Sequence, residues 1–117
     1  MVGSYVPDEG DLIWLSFDPR IGHEQAGRRP ALVLSSGRFN RKTMLAFVCP
    51  VTTKAKGYSS EMRLPEGLSV TGAILCSHFR SVDWAAREPK LIGKVPGDVL
   101  NEVREIVAAI TGIRMQA

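Results

Sequence analysis

The chain has 117 residues, of which 44% are hydrophobic and 23% charged, and these proportions are typical of one soluble globular domain. We therefore expect a single domain over residues 1–117, large enough to bury a core without disulfide or metal crosslinks. The formal net charge is +3, and the sequence carries neither a secretory leader nor an apolar run of membrane-spanning length, so it predicts a cytoplasmic protein that does not enter a membrane.

Short apolar stretches, separated by polar segments rich in glycine and proline, follow one another along most of the chain. Pro50 near the end of the third stretch is typical of a strand terminus or a bulge. Residues 20–28 are expected to form a long loop and residues 37–42 a turn. The strands are expected at residues 11–17, 30–35, 43–51, 61–64, 73–76 and 91–95.

The period of the apolar residues changes near the C-terminus. Pro96 in a first turn, Asp98 near the positive helix end and Gly112 as a stop predict a helix over about residues 96–111. Five to seven short strands followed by one amphipathic helix predict a mainly β fold, a small barrel or half-open sheet with the helix covering one opening. The residues that define the apolar helix face are Val99, Leu100, Val103, Ile106, Val107 and Ile110.

The two cysteines, Cys49 and Cys76, each lie in an apolar stretch, which predicts buried and reduced thiols. The two histidines, His23 and His78, are far apart and lack the spacing of a zinc site. We therefore expect no metal and no cofactor.

Basic residues are concentrated in the first half of the chain. A basic face attracts a polyanion, whereas a solvated loop surface is the alternative interpretation. Asp18, Glu24 and Glu61 oppose this charge. The basic residues are Arg20, Arg28, Arg29, Arg38, Arg41, Lys42, Lys54 and Lys56.

Three segments, residues 22–30, 50–58 and 77–84, are richer in polar groups than a connecting loop requires. Arg29 precedes a buried strand, as a catalytic or phosphate-binding arginine would, although an arginine at a strand edge is the alternative. Thr52 ends a strand, where its hydroxyl can donate to a phosphate oxygen, although threonine is also an ordinary strand residue.

The same segments supply further candidates. Glu24 can hold Arg28 or Arg29 in place or act as a base, and Lys54 and Lys56 can neutralise phosphates. His78 can stack on a base or carry a proton, with a hydrogen-bonded, partly buried histidine as the alternative. Because no nucleotide-binding glycine loop, nucleophile elbow or carboxylate cluster is present, these patterns alone indicate a small basic anion or nucleic-acid binder.

Three blocks of residues resemble those of the MazF/PemK toxin family in order and spacing, over nearly the whole chain. The first comprises Gly10-Asp11-Leu12-Ile13-Trp14, Phe17-Asp18-Pro19, Gly22 through Gln25, Gly27, Arg29-Pro30-Ala31 and Val33-Leu34-Ser35. The second comprises Pro50, Thr52-Thr53 and Lys56-Gly57-Tyr58. The third comprises Gly72, Leu75, Arg80-Ser81, Trp84 and Arg87.

The resemblance implies an SH3-like barrel of the CcdB/PemK type and a homodimer that cleaves single-stranded mRNA at a short sequence without a metal. It assigns catalysis to Arg29 and Thr52. A cognate antitoxin would cover the RNA groove with a flexible tail, and operator DNA would be bound only through that antitoxin. The RNA-binding residues would be His23, Gln25, Arg28, Thr53, Lys54, Lys56, His78 and Arg80.

The chemistry of such an enzyme agrees with these residue types. A ribose 2′-OH attacks the neighbouring phosphate and leaves a 2′,3′-cyclic phosphate and a 5′-OH, so DNA cannot react. A fixed guanidinium and a hydroxyl donor stabilise the charge that gathers on the phosphate oxygens. Arginine is a poor base, so Arg29 is assigned to charge stabilisation and to proton donation to the leaving oxygen. The group that takes the 2′-OH proton stays open, with Glu24, counted among the catalytic residues, or His23 expected to assist.

One departure from the family pattern lies in the third block. Ser77-His78 stand where family members commonly carry Asp-Gln, which predicts altered base reading or weaker activity. The alternative function is that of the CcdB type, a toxin of the same barrel that poisons DNA gyrase without cutting RNA.

Overall fold

The computed structural model describes residues 5–17 and 27–114, which contain seven antiparallel strands and a C-terminal helix. Two single 3-10 turns, Cys76–His78 and Ala85–Arg87, connect elements in the second half. The strands and helices are β1 Asp11–Ser16, β2 Arg28–Val33, α1 Gly37–Thr43, β3 Leu45–Thr52, β4 Glu61–Arg63, β5 Ala73–Leu75, β6 Arg80–Asp83, β7 Lys90–Lys94 and α2 Gly97–Thr111.

Strand β3 is the centre of the sheet. One edge of β3 pairs with β2, while its other edge pairs first with β6 and then with β5. The strand order is β4-β5-β3-β2-β1-β7, with β6 beside the first half of β3. Within the described residues no backbone pairing joins β7 to β4 or β6, so the predicted mainly β fold is confirmed in its half-open form and the ring of a barrel is not closed.

Both faces of the sheet are covered along its central strands β1, β2 and β3. Leu12 and Ile13 are neighbours in β1, yet they belong to two different cores because successive strand residues point to opposite faces. This two-sided burial explains why the first three strands are continuous apolar runs in the sequence. The first core consists of Leu12, Leu32, Cys49, Val51, Leu64, Ile74, Cys76, Val95, Val99, Leu100 and Val103. The second consists of Ile13, Leu15, Phe17, Ala31, Val33, Ala46, Val48, Val82 and Trp84.

Helix α2 closes the first core, as its amphipathic pattern predicts. Leu100 and Val103 are buried against the sheet, whereas Asn101 and Glu105 are exposed on the opposite face. The helix ends at Gly112, whose left-handed backbone (φ 78°) lets its N–H donate to the carbonyl of Ala108.

The turn predicted at residues 37–42 is wrong, because this segment forms helix α1. The Ser36 hydroxyl accepts a hydrogen bond from Phe39 N (3.2 Å), and Met44 ends the helix in a left-handed conformation with φ 61°. Asn40 is the single buried residue of α1. A helix of seven residues with one buried position is too short to show the period by which helices are found in a sequence.

Strand β6 was not among the predicted strands. Its residues pair with β3 from Leu45↔Asp83 to Val48↔Arg80, but only Val82 of the four is buried. The apolar signal of β6 is therefore one residue, and the strand exists because the exposed edge of β3 supplies its hydrogen-bond partners.

The position of Pro50 also differs from the prediction. Pro50 lies inside β3, opposite Ala31 of β2, and is not the strand terminus. On the other edge of β3, pairing with β6 ends at Val48 and pairing with β5 begins at Val51. The missing N–H of proline thus coincides with the gap between two partner strands, where no ladder hydrogen bond is needed.

Candidate active site

The end of β3 separates two open clefts, and the consecutive residues Thr52 and Thr53 line one cleft each. We call the first the threonine cleft; it has a volume of about 280 Å³. Its lining residues are Thr52, Lys54, Lys56, Tyr58, Ser60, Glu61, Leu75, Ser77 and His78. We call the second the arginine cleft; it has a volume of about 340 Å³. Its lining residues are Trp14, Arg28, Arg29, Pro30, Val51, Thr53, Ser69, Val70 and Thr71.

Arg29 is half-buried and lies within β2, opposite Leu15 of β1. The sequence placed Arg29 directly before the strand, but β2 begins at Arg28. Arg29 is therefore a strand residue, and the sheet fixes its backbone directly. Pairing between β2 and β3 ends at Ala31↔Pro50, and beyond this pair the two strands border the arginine cleft. Continuing the same register by two residues leads to Arg29 on β2 and Thr52 on β3.

Thr52 is buried, with 7% of its surface exposed, and lies opposite Ala73 of β5. Its hydroxyl oxygen accepts a hydrogen bond from the backbone N–H of Lys54 (3.0 Å). Because a hydroxyl carries one proton and two lone pairs, this contact leaves the proton of Thr52 able to donate to a ligand in the cleft.

Gly72 packs against the backbone of Thr52. The residue adopts φ +133°, which favours glycine, and a Cβ placed on it would collide with the Thr52 carbonyl. Glycine at position 72 therefore has a physical reason, because any side chain there would displace the end of β3.

The loop that follows β3 is held by the carboxylate of Glu61. The Glu61 Oε1 atom accepts hydrogen bonds from the backbone N–H groups of Gly57 (2.8 Å) and Lys56 (3.0 Å). The backbone N–H of Glu61 in turn donates to the carbonyl of Tyr58 (3.0 Å). Residues 53–60 thus form a loop that is tied to strand β4 at several points.

The threonine cleft combines cationic, aromatic and hydroxyl groups. Lys54 and Lys56 are exposed, and His78 is half-buried at the end of the 3-10 turn that follows β5. Tyr58 is 62% exposed on the loop. Two lysines beside one carboxylate whose oxygens already accept backbone hydrogen bonds make the cleft suitable for an anion.

Two predicted RNA-binding arginines contact other parts of the protein. Arg28 donates hydrogen bonds to the carbonyl of Glu88 (2.6 Å) and to the hydroxyl of Ser16 (3.3 Å). The guanidinium of Arg80 lies over the ring of Phe17, with its central carbon 5.8 Å from the ring centroid. These contacts give both arginines a packing role, and their roles toward RNA stay predictions.

Three predicted site residues, His23, Glu24 and Gln25, lie outside the described residues, as does most of the predicted loop 20–28. Thr53 lines the arginine cleft and Lys54 and Lys56 the threonine cleft. The structure therefore gathers the second and third polar segments around β3 and sets Arg29 beside them.

The described residues contain no group of three or more metal-ligating side chains that could hold an ion, and none of their helices is long and apolar enough to cross a membrane. Cys49 and Cys76 are free thiols inside the first core. Burial raises the pKa of both, that of Cys76 to about 11, so the thiolate forms of these cysteines are disfavoured near neutral pH.

Sequence reasoning did not single out Tyr58 and Glu61, which line the threonine cleft and are linked by the hydrogen bonds of its loop. Tyr58 was noted only as part of a motif, and Glu61 only as an opposing charge. The sequence signal that connects them is the pair Gly57-Tyr58 shortly before Glu61, the carboxylate that begins strand β4. That pattern is too common to be recognised without the hydrogen bonds.

Comparison with a family model and with known proteins leads to the same family of toxins. A family model described as the PemK-like, MazF-like toxin of type II toxin-antitoxin systems matches residues 8–111. The endoribonuclease toxin MazF of Escherichia coli K12 is 42% identical over 112 residues, which are 96% of this chain and 100% of that protein.

Solved structures match over nearly the full chain. Crystalline MazF from Deinococcus radiodurans is 51% identical, with a TM-score of 0.89 over 92% of this chain and 98% of that chain. A MazE-MazF complex from the same organism is 45% identical, with a TM-score of 0.84 over 94% of this chain and 99% of that chain.

Proposed function

Because the chain belongs to the PemK-like, MazF-like toxin family, it is an endoribonuclease toxin of a toxin-antitoxin system, and we propose that it cleaves single-stranded mRNA without a metal. The products are a 2′,3′-cyclic phosphate and a 5′-OH. The observation that carries this proposal is the position of Arg29 and Thr52 on neighbouring strands at the end of their pairing, next to a cleft with two exposed lysines.

In this mechanism the scissile phosphate lies at the end of β3. Attack by the 2′-OH builds negative charge on the phosphate oxygens, and the guanidinium of Arg29 stabilises that charge. The Thr52 hydroxyl donates a second hydrogen bond to a phosphate oxygen. It can do so because it acts only as the acceptor in its contact with the Lys54 N–H. Arg29 can also pass a proton to the leaving 5′ oxygen, while Glu24 or His23 assists as the base.

Lys54 and Lys56 hold the phosphates that flank the scissile one, since both are exposed in the threonine cleft. Ser77 and His78 line the same cleft, so the departure from the family's Asp-Gln changes side chains within reach of the RNA. We expect the recognised sequence to differ from that of relatives which carry Asp-Gln.

The antitoxin is the partner that silences this activity. A solved relative with 45% identity is a MazE-MazF complex, which supports an antitoxin of the same kind for this chain. We propose that a flexible antitoxin segment covers the clefts, that the toxin reaches operator DNA only through it, and that both act in the cytoplasm.

We also propose that the protein is a homodimer. Four large apolar residues, Phe39, Met44, Leu45 and Phe47, are between 38% and 46% exposed on α1 and the start of β3. The rings of Phe39 and Phe47 are 6.1 Å apart, so the patch is continuous there and suits a second copy of this chain. A Phe47→Lys variant should become monomeric in analytical ultracentrifugation, and a Phe47→Leu variant should stay dimeric.

The test of the function is incubation of the purified toxin with a long single-stranded RNA in EDTA, followed by analysis of the end groups. We expect cuts at a short recurrent sequence that leave cyclic phosphate and 5′-OH ends. Absence of cutting by active-site variants and wild type alike would contradict the proposal, and a gyrase-inhibition assay would then test the alternative function.

A further inference from the structure

Tyr58 is the most exposed aromatic side chain among the described residues that line the threonine cleft. An isolated exposed tyrosine is ordinary on a protein surface. Tyr58 differs because it shares a cleft with Thr52, Lys54 and Lys56, the groups proposed to hold the RNA phosphates.

The backbone around Tyr58 is fixed on both sides. Gly57 precedes it with φ +80°, and its N–H donates to the Glu61 carboxylate at 2.8 Å. The carbonyl of Tyr58 accepts the N–H of Glu61 at 3.0 Å. An exposed side chain on a preorganised loop loses less conformational entropy when it meets a ligand than one on a free loop.

Glu61 is itself anchored to the sheet. It begins β4, opposite Leu75 of β5, and is only half-exposed. A carboxylate beside a polyanion site repels the ligand, so the presence of Glu61 there calls for a structural explanation. The explanation is that its carboxylate accepts hydrogen bonds from the N–H groups of Lys56 and Gly57, which set the position of the loop.

We propose that the ring of Tyr58 stacks on a nucleobase next to the scissile phosphate, and that Glu61 is a positioning residue that holds Tyr58 and Lys56 for this contact. The inference rests on the proposed ribonuclease function. Stacking uses the π-face that every base offers, so Tyr58 adds affinity for any sequence, whereas Ser77 and His78 on the same cleft can distinguish bases.

The test uses the full-length toxin and two RNA oligonucleotides, one with the mapped cut sequence and one scrambled, each carrying 2′-O-methyl groups that prevent cleavage. Binding is measured by fluorescence anisotropy. Tyr58→Leu should weaken binding of both oligonucleotides by a similar factor, roughly 5- to 150-fold, while Tyr58→Phe should bind as wild type. The control is Leu91→Ala, which truncates another large exposed side chain (51% exposed) on β7 that lines neither cleft.

The role of Glu61 is tested by a double-mutant cycle. Glu61→Ala should raise KM more than it lowers kcat, and Glu61→Gln should restore part of the loss because its carbonyl oxygen still accepts the loop N–H groups. In the Glu61→Ala background, Tyr58→Leu should have a smaller effect than in wild type, since the ring is no longer held in place.

Separate outcomes distinguish the two ideas. If wild type neither binds nor cuts RNA, the proposed function fails. If wild type cuts RNA and Tyr58→Leu binds as wild type, the stacking inference is overturned. It is also overturned if Tyr58→Leu binds RNA normally but loses the antitoxin or the dimer, because Tyr58 would then be a protein contact.

Discussion

The hydroxyl of Thr52 accepts a hydrogen bond from the backbone N–H of Lys54 at 3.0 Å, so the loop after β3 orients the side chain that ends the strand. One lone pair of the hydroxyl is occupied, and its proton remains able to donate to another acceptor. This local contact occupies an acceptor site of a common strand residue and leaves its hydroxyl proton able to donate to a phosphate oxygen.

We expect Thr52→Val to lower kcat by about 10²- to 10³-fold, because it removes the donor while keeping the shape and burial of the side chain. Thr52→Ser keeps the hydroxyl and should retain most of the activity. The measurement is steady-state cleavage of a short fluorogenic RNA, with circular dichroism to confirm the fold. Equal activity of the valine and serine variants would show that the hydroxyl is not used.

Arg29→Ala should lower cleavage by at least about 10²-fold with the fold intact, since it removes a charge contact and no residue of either core. Arg29→Lys should recover only part of this loss, because an ammonium cannot match the two-pronged geometry of a guanidinium. Arg114→Ala, an exposed arginine after α2, is the control for net charge and should cleave as wild type. Substantial cleavage by Arg29→Ala would remove this residue from the mechanism.

Asn40→Asp should destabilise the protein by about 3 kcal/mol. The Asn40 amide nitrogen is fully buried and donates to the carbonyls of Pro7 (2.7 Å) and Ser35 (3.1 Å), which a carboxylate cannot replace. Asn101→Asp, on the exposed face of α2, makes the same chemical change and should be nearly neutral. Urea unfolding at neutral pH compares the two, and equal midpoints would contradict the assigned role of Asn40.

The buried thiols should make the protein less stable in alkaline solution. Burial raises the pKa of Cys76 from about 9 to about 11, so between these values the unfolded chain loses a proton that the folded chain retains. Unfolding then releases protons, and its free energy falls as the pH rises. We expect urea unfolding between pH 8 and pH 11 to show a shallower decline for Cys76→Ala than for wild type. Parallel curves for the two proteins would contradict a buried thiol that titrates only on unfolding.

Much of the fold follows from local sequence patterns. Helix α2 was predicted within one residue at its start because about four turns of period 3.6 leave a clear record in the sequence. Strands β1 to β3 were found because burial on both faces requires continuous apolar runs. The family motifs named Arg29 and Thr52, and the structure then located both residues on neighbouring strands at the candidate site.

The sequence by itself determined the class of fold, the C-terminal helix and the family, because these depend on patterns that each segment carries alone. Tertiary structure alone decided that residues 37–43 form a helix, that Arg80–Asp83 joins the edge of β3, and that Glu61 holds the loop bearing Tyr58. Each of these depends on a partner distant in the fold or on a single hydrogen-bonded side chain. Such contacts leave no periodic trace in the sequence, because each rests on one hydrogen-bonded side chain or on the edge of one strand and none repeats along a segment.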